Sequence, residues 1–181
     1  RDRVPPHRWR RRLACRAERV PGEHGRSAAS PEGAREAPPD LNWLLDTDVI
    51  CQPAKRHGDA RVVAWLHQER DRCFTSAVVI AQLAYWVRSK EGRQRRDLQD
   101  WLRKLADALG GRILGFNVPV AHVWADQEHL LEKHGQRMPV EDGTIAATAR
   151  RHGLTIVTGN DKDFRRPGLK VFNPFKELPP V

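Results

Sequence analysis

The stretch from Met138 to Phe164, MPVEDGTIAATARRHGLTIVTGNDKDF, constrains the fold more than any other, because it sets two carboxylates at the two ends of one helix-strand unit. Pro139 stands where a first helical position accepts proline. Ile145, Ala146 and Ala149 recur at helical spacing, and Gly153 is placed to close the helix as a left-handed cap. That spacing predicts a helix of roughly three turns. Leu154 to Thr158 follows as a short β-branched run nearly free of polar side chains, the pattern of a strand buried on both faces of a parallel sheet. Asp142 falls in the first helical turn, and Asp163 falls just past the carboxyl end of the strand. Ligands of open α/β sheets bind beyond the carboxyl ends of the strands. The two acids can meet there.

The chain of 181 residues has room for one ordinary domain. Residues 1–40 hold ten Arg, no Lys, six Pro and six acids, a segment charge of +4, with no periodic apolar pattern. Such a segment buries too little apolar surface to offset its ordering entropy, so it is expected to be disordered. The chain opens on Arg and its one Met is Met138, so either a start is trimmed or the first 40 residues are a non-native beginning, with upstream sequence read through the favoured reading. A transit peptide is the competing reading, and six prolines argue against its amphipathic helix. From residue 41 onward, 22 Lys and Arg face 17 acids, so the folded part is itself basic at +5. No 18-residue apolar run exists to span a membrane. Cys15, Cys51 and Cys73 are odd in number, widely spaced and outside any metal pattern, which suits core or loop thiols in a reducing cytoplasm.

Taken in order, Leu41–Leu45 reads as a strand running into Asp46, with a turn through Thr47 and Asp48 into a helix. Either acid can cap that helix, and for Asp48 the cap is the better reading. Asp46 sits at the strand's own carboxyl end and points into the same crevice as Asp163. Pro53–Asp59 reads as a polar loop, and Arg61–Glu69 as an amphipathic helix burying Val62, Trp65 and Leu66. Cys73–Thr75 is a second strand, after which Ser76 caps a helix through Val87 that is apolar nearly all round, hence buried or paired with another chain. Gln82 lies in its middle and must find a polar partner, either a neighbouring backbone group or a site. A charged helix over 88–104 buries Leu98, Trp101, Leu102 and Leu105, Ile113–Phe116 is a third strand, and Val118–His134 another helix. His122, Asp126 and His129 share one face of it, which a solvated surface explains better than a metal site. Leu169–Phe172 closes the sheet, and a Pro-rich tail should fray. The element order indicates an α/β fold with a mainly parallel sheet flanked by helices.

LLDTDVI at 44–50, TSAVVIAQLAY at 75–85, DGTIAATARRHGLTIVTGNDKDF at 142–164 and VFNPF at 171–175 resemble the PIN-domain ribonucleases, above all the VapC-type toxins of bacterial toxin-antitoxin pairs. The resemblance spans residues 41 to about 176, with several motifs in the family's order and spacing. It implies a PIN-like domain over 41–176, an acidic pocket that binds Mg2+ or Mn2+, and cleavage of RNA phosphodiesters by an activated water. Residue by residue, Asp46 matches the family's first acid, Asp142 the third and Asp163 the fourth, and these three are the implied metal ligands. Asn160 matches the polar residue three places before the fourth acid. The second acid, normally Glu, is Gln82 here, and Asp48 replaces a usual Asn. The resemblance also implies a VapB-type antitoxin partner and a homodimer.

Clustered carboxylates repel, and a hard dication relieves them while keeping several of its own waters. Three acids suffice for one such ion, whereas a two-metal arrangement demands more negative charge. Gln82 keeps a carbonyl oxygen without the charge, which predicts weaker metal affinity and slower turnover. Two readings stand: a metal-dependent endoribonuclease toxin, and a weakened PIN module that binds RNA or antitoxin without cutting. Arg88, Lys90, Arg93, Arg95 and Arg96 are candidates for an RNA surface, or serve solubility alone. Trp43, Trp65, Trp86, Trp101 and Trp124 fit core or dimer packing.

Overall fold

A computed structural model describes residues 42–176; the expectations for residues 1–40 and for the last five residues lie outside the described residues. The chain runs β1 (Trp43–Leu45), α1 (Thr47–Ile50), α2 (Ala60–Gln68), β2 (Cys73–Ser76), α3 (Ala77–Arg88), α4 (Gly92–Leu109), β3 (Ile113–Leu114), α5 (Val118–Lys133), α6 (Val140–His152), β4 (Thr155–Val157), α7 (Asp161–Phe164) and β5 (Lys170–Phe172). The five strands among the described residues are all parallel, in the order β3-β2-β1-β4-β5. The chain builds outward from β1 to β2 and β3, then crosses back to add β4 and β5 on the other side. The strand order therefore reverses between β1 and β4, where Leu45 pairs with Val157. A crevice opens beyond the carboxyl ends of the strands at such a point.

Local chemistry sets most boundaries. Ser76 Oγ accepts from Val79 N at the start of α3, Asp59 caps α2, and Asn117 caps α5 with proline in its first turn. Gly153 ends α6 in the left-handed region at φ +68°. The α6 start differs by one residue from expectation: Pro139 is itself the N-cap, with extended ψ, and helical geometry begins at Val140. The third strand stops at Leu114 and not at Phe116, because β3 is an edge strand whose only partners are Thr75 and Ser76, after which β2 turns into α3. Phe116 is left exposed.

The core forms on both sides of β1. Trp43, Leu44 and Leu45 are buried, and the Trp43 ring meets Trp65 and Phe172 at centroid distances of 5.4 Å. The Trp43 indole N–H donates to Glu69 Oε2 at 2.9 Å, and Arg72 lies 3.5 Å from the same oxygen, so this buried carboxylate is both bonded and paired. Every residue of α6 from Asp142 to Ala149 is buried, against α5 on one side and α3 on another. The expectation for α3 holds on one face only. Val79, Leu83, Trp86 and Val87 are buried, while Ala77, Ala81 and Tyr85 form an exposed stripe at helical spacing. Burial pushes the Cys73 thiol up to about 12, so it is an inert core group. Asp161, beside β5, is held down to about 2 by Lys176 first and then by Asn173 and Arg165, which ties the carboxyl-terminal segment to α7.

Candidate active site

Asp46 is built by the end of β1. Its backbone N donates to Val157 O at 3.0 Å, carrying the β1–β4 pairing one residue past the strand, and the chain turns into α1 only there. Asp46 is consequently the N-cap of α1, with Oδ1 accepting from Thr47 N at 2.7 Å. The expectation that Asp48 takes the cap is corrected by that extra rung. Asp48 sits in the first turn instead, and its Oδ2 accepts from Gly159 N at 2.9 Å. A Cβ on Gly159 would stand 2.8 Å from that oxygen and 3.0 Å from the Phe175 ring, so only glycine lets the β4–α7 loop come this close.

A path of hydrogen bonds then joins two of the expected acids. Thr158 Oγ1, at the end of β4, donates to Asp46 Oδ2 at 2.8 Å and accepts from Asn160 N at 3.0 Å. Asn160 Nδ2 donates to Asp163 Oδ2 at 2.7 Å. Asp46 is 5 % exposed, and Asp163 on α7 is half-buried. Gln82, half-buried on α3, joins through its Oε1, which accepts from the Thr47 hydroxyl next to Asp46. Its partner is thus a side chain of the site and not a neighbouring backbone group.

Asp142 lies in the first turn of α6 and is 3 % exposed. The positive end of the helix favours an anion there. Arg166, just after α7, donates from Nε to Gln136 O at 3.2 Å, which ties the loop before α6 to the segment that carries Asp163. Behind Asp142, α5 closes over Gly143: Gln127 Nε2 donates to Gly143 O at 3.3 Å, and Glu128 Oε1 lies 2.8 Å from where a Cβ would be. Burial there pushes the Glu128 carboxyl up. Thr47, Thr158, Arg166 and Glu128 escape sequence reasoning, although the hydroxyl beside each acid-bearing turn, in DTD and TGN, is a usable signal.

The atoms that Asp46 and Asp163 can offer an ion are carboxylate oxygens, which suit a hard divalent cation. Among the described residues no three His, Cys, Asp or Glu side chains form a ready cage for a metal ion. Mg2+ fits such an open arrangement, since it keeps several waters and needs only one or two direct carboxylates. His122, Asp126 and His129 lie exposed along α5, outside any such group. Of the basic residues after α3, Arg88 donates to Ala84 O, Lys90 lies 5.5 Å from the Trp86 ring centroid and Arg93 pairs with Asp97.

Comparison with known proteins agrees with this fold. A family model described as PIN domain matches residues 43–169. Toxin FitB of Neisseria gonorrhoeae is 35 % identical, over 74 % of this chain and 99 % of the toxin. VapC ribonuclease Y4jK of Sinorhizobium fredii is 31 % identical, over 74 % of this chain and 97 % of that protein. The crystal structure of FitAcB from Neisseria gonorrhoeae superposes with a TM-score of 0.71 at 35 % identity, covering 75 % of this chain and 99 % of the other.

Proposed function

The chain belongs to the PIN-domain family, and from that premise we propose that it is a metal-dependent endoribonuclease, the toxin of a toxin-antitoxin pair. The observation that carries the reading is the hydrogen-bonded path from Asp46 through Thr158 and Asn160 to Asp163, at the point where the strand order reverses. The ribonuclease and toxin names of the relatives support the substrate class and the biological role.

In this reading Asp46, Asp142 and Asp163 would hold Mg2+ or Mn2+. The chemistry the bound ion supplies is charge, which lowers the pKa of a water and offsets the negative phosphodiester. The protein's part is orientation. Thr47 N and the Thr158 hydroxyl fix both oxygens of Asp46, and Asn160 fixes one of Asp163, so neither carboxylate spends freedom when substrate arrives. Their remaining lone pairs would orient a water and take its proton as its oxygen bonds phosphorus and the P–O bond to the leaving ribose oxygen breaks, that oxygen taking a proton from solvent. Gln82 contributes a neutral oxygen through Thr47 where the family carries an acid.

The exposed stripe of Ala77, Ala81 and Tyr85 on α3 supports a homodimer through that helix; sedimentation showing a monomer at micromolar concentration would remove it. A VapB-type antitoxin is the proposed inhibitor, and the cytoplasm the proposed compartment. No helix among the described residues is long and apolar enough to cross a membrane.

The test of the activity is direct. The full chain, freed of metal, should leave total RNA intact in chelator and cut it when Mg2+ or Mn2+ is restored. RNA that stays intact under every metal condition, while the folded protein still binds it, would favour the non-cutting PIN module instead.

A further inference from the structure

Past β5 the chain folds back as a turn made of Asn173, Pro174, Phe175 and Lys176. Asn173 Oδ1 accepts from Phe175 N at 3.0 Å and Asn173 O accepts from Lys176 N at 3.1 Å, and Pro174 presets the backbone between them. The turn is seated against the loop between β4 and α7. Thr158 N donates to Phe172 O at 3.1 Å, one rung beyond the β4–β5 pairing, which brings Asn173 beside Gly159. Asn173 is 1 % exposed, and its Nδ2 donates to Gly159 O at 3.2 Å and to Asp161 Oδ1 at 3.3 Å. Lys176 Nζ reaches the same Asp161 oxygen at 3.0 Å. The Phe175 ring lies against Gly159, and Arg61 Nη2 donates to Phe175 O at 3.2 Å, which anchors the turn to α2.

Gly159 is therefore gripped from both sides. Its N–H donates to Asp48 Oδ2 at 2.9 Å on the β1 side, and its C=O accepts from Asn173 on the β5 side. The next residue is Asn160, whose Nδ2 donates to Asp163 Oδ2 at 2.7 Å, and Asp161 opens α7 two places before Asp163. A helix of four residues is too short to hold itself, so the place of Asp163 depends on what grips the residues before it. We propose that Asn173 and Lys176 are positioning residues of the nuclease site, holding Asn160 and Asp163 through Gly159 and Asp161 so that the Asp163 carboxylate is aimed for a divalent cation. The proposal rests on the ribonuclease reading above. Groups that orient a metal-binding carboxylate without touching the metal are commonly worth about ten- to a hundredfold in metal affinity or activity.

The experiment measures Mn2+ binding to the full chain, from the electron paramagnetic resonance signal of the free ion, and then cleavage kinetics of a labelled oligoribonucleotide in Mg2+. Asn173→Ala should weaken Mn2+ binding about tenfold and lower kcat by about tenfold, while KM for the oligonucleotide stays within about twofold. Lys176→Met, at an exposed position, should show smaller losses in the same two readings. In an Asn160→Ala background Asn173→Ala should cost little more, because both act through Asp163. Thermal melting checks that each variant folds, and if Asn173→Ala does not, Lys176→Met decides. Wild-type Mn2+ affinity and kcat in the deciding variant would overturn the assignment and leave the nuclease intact. Losses from Asn173→Ala that add in full to those of Asn160→Ala would overturn it too, making the turn a structural closure of the sheet. A wild type that binds no Mn2+ and cuts no RNA would end the nuclease reading and this assignment with it.

Discussion

Asp142→Asn should abolish RNA cleavage while the protein stays folded. The substitution preserves the shape of the side chain and its place in the first turn of α6, where Asp142 is 3 % exposed, and removes only the charge. A carboxylate facing a dication in a partly desolvated pocket contributes on the order of a few kcal/mol. Each 1.4 kcal/mol or so is tenfold in rate, so a loss of about a hundredfold or more is expected. The measurement is cleavage of a labelled oligoribonucleotide in Mg2+, alongside thermal melting in chelator. A melting temperature close to the wild-type value shows that the variant is folded. A variant that folds and cuts at the wild-type rate would take Asp142 out of the chemistry.

Where the sequence reading succeeded, the signals were local. Ser76 as the cap of α3, Gly153 as the end of α6 and the buried run at β4 each depend on a few adjacent residues, and each stands within a residue or so of its expected place. Its misses depended on which strand lies beside which. Asp46 and not Asp48 caps α1 because Val157 O takes the Asp46 amide, a contact across 111 residues that no local propensity encodes. Thr158 looks like one more β-branched strand residue until the register of Leu45 with Val157 aims its hydroxyl at Asp46. Arg166 reads as one charge in KDFRRPGLK, and only the packing of that loop against residue 136 makes it the tie between α7 and the loop before α6.

The same geometry turns the Gln82 question into a signed prediction. Gln82 Oε1 accepts from the Thr47 hydroxyl, and a glutamate oxygen would accept that bond equally well, so Gln82→Glu should keep the local structure and add only charge beside Asp46. In Mg2+ the added carboxylate should tighten metal binding by about tenfold, roughly 1.4 kcal/mol, and raise the cleavage rate. In chelator the sign reverses. The new carboxyl stands near Asp46, so its folded pKa should rise above the unfolded value of about 4.3. The unfolded chain then releases that proton first, and the variant should lose stability relative to wild type as pH climbs through the interval between the two values. Thermal melting at pH 4 and pH 7, with and without Mg2+, measures the reversal, and titration calorimetry measures the affinity. If metal affinity, rate and melting all match the wild type, position 82 carries no charge requirement, and the bond to Thr47 is a structural contact that any oxygen acceptor can fill.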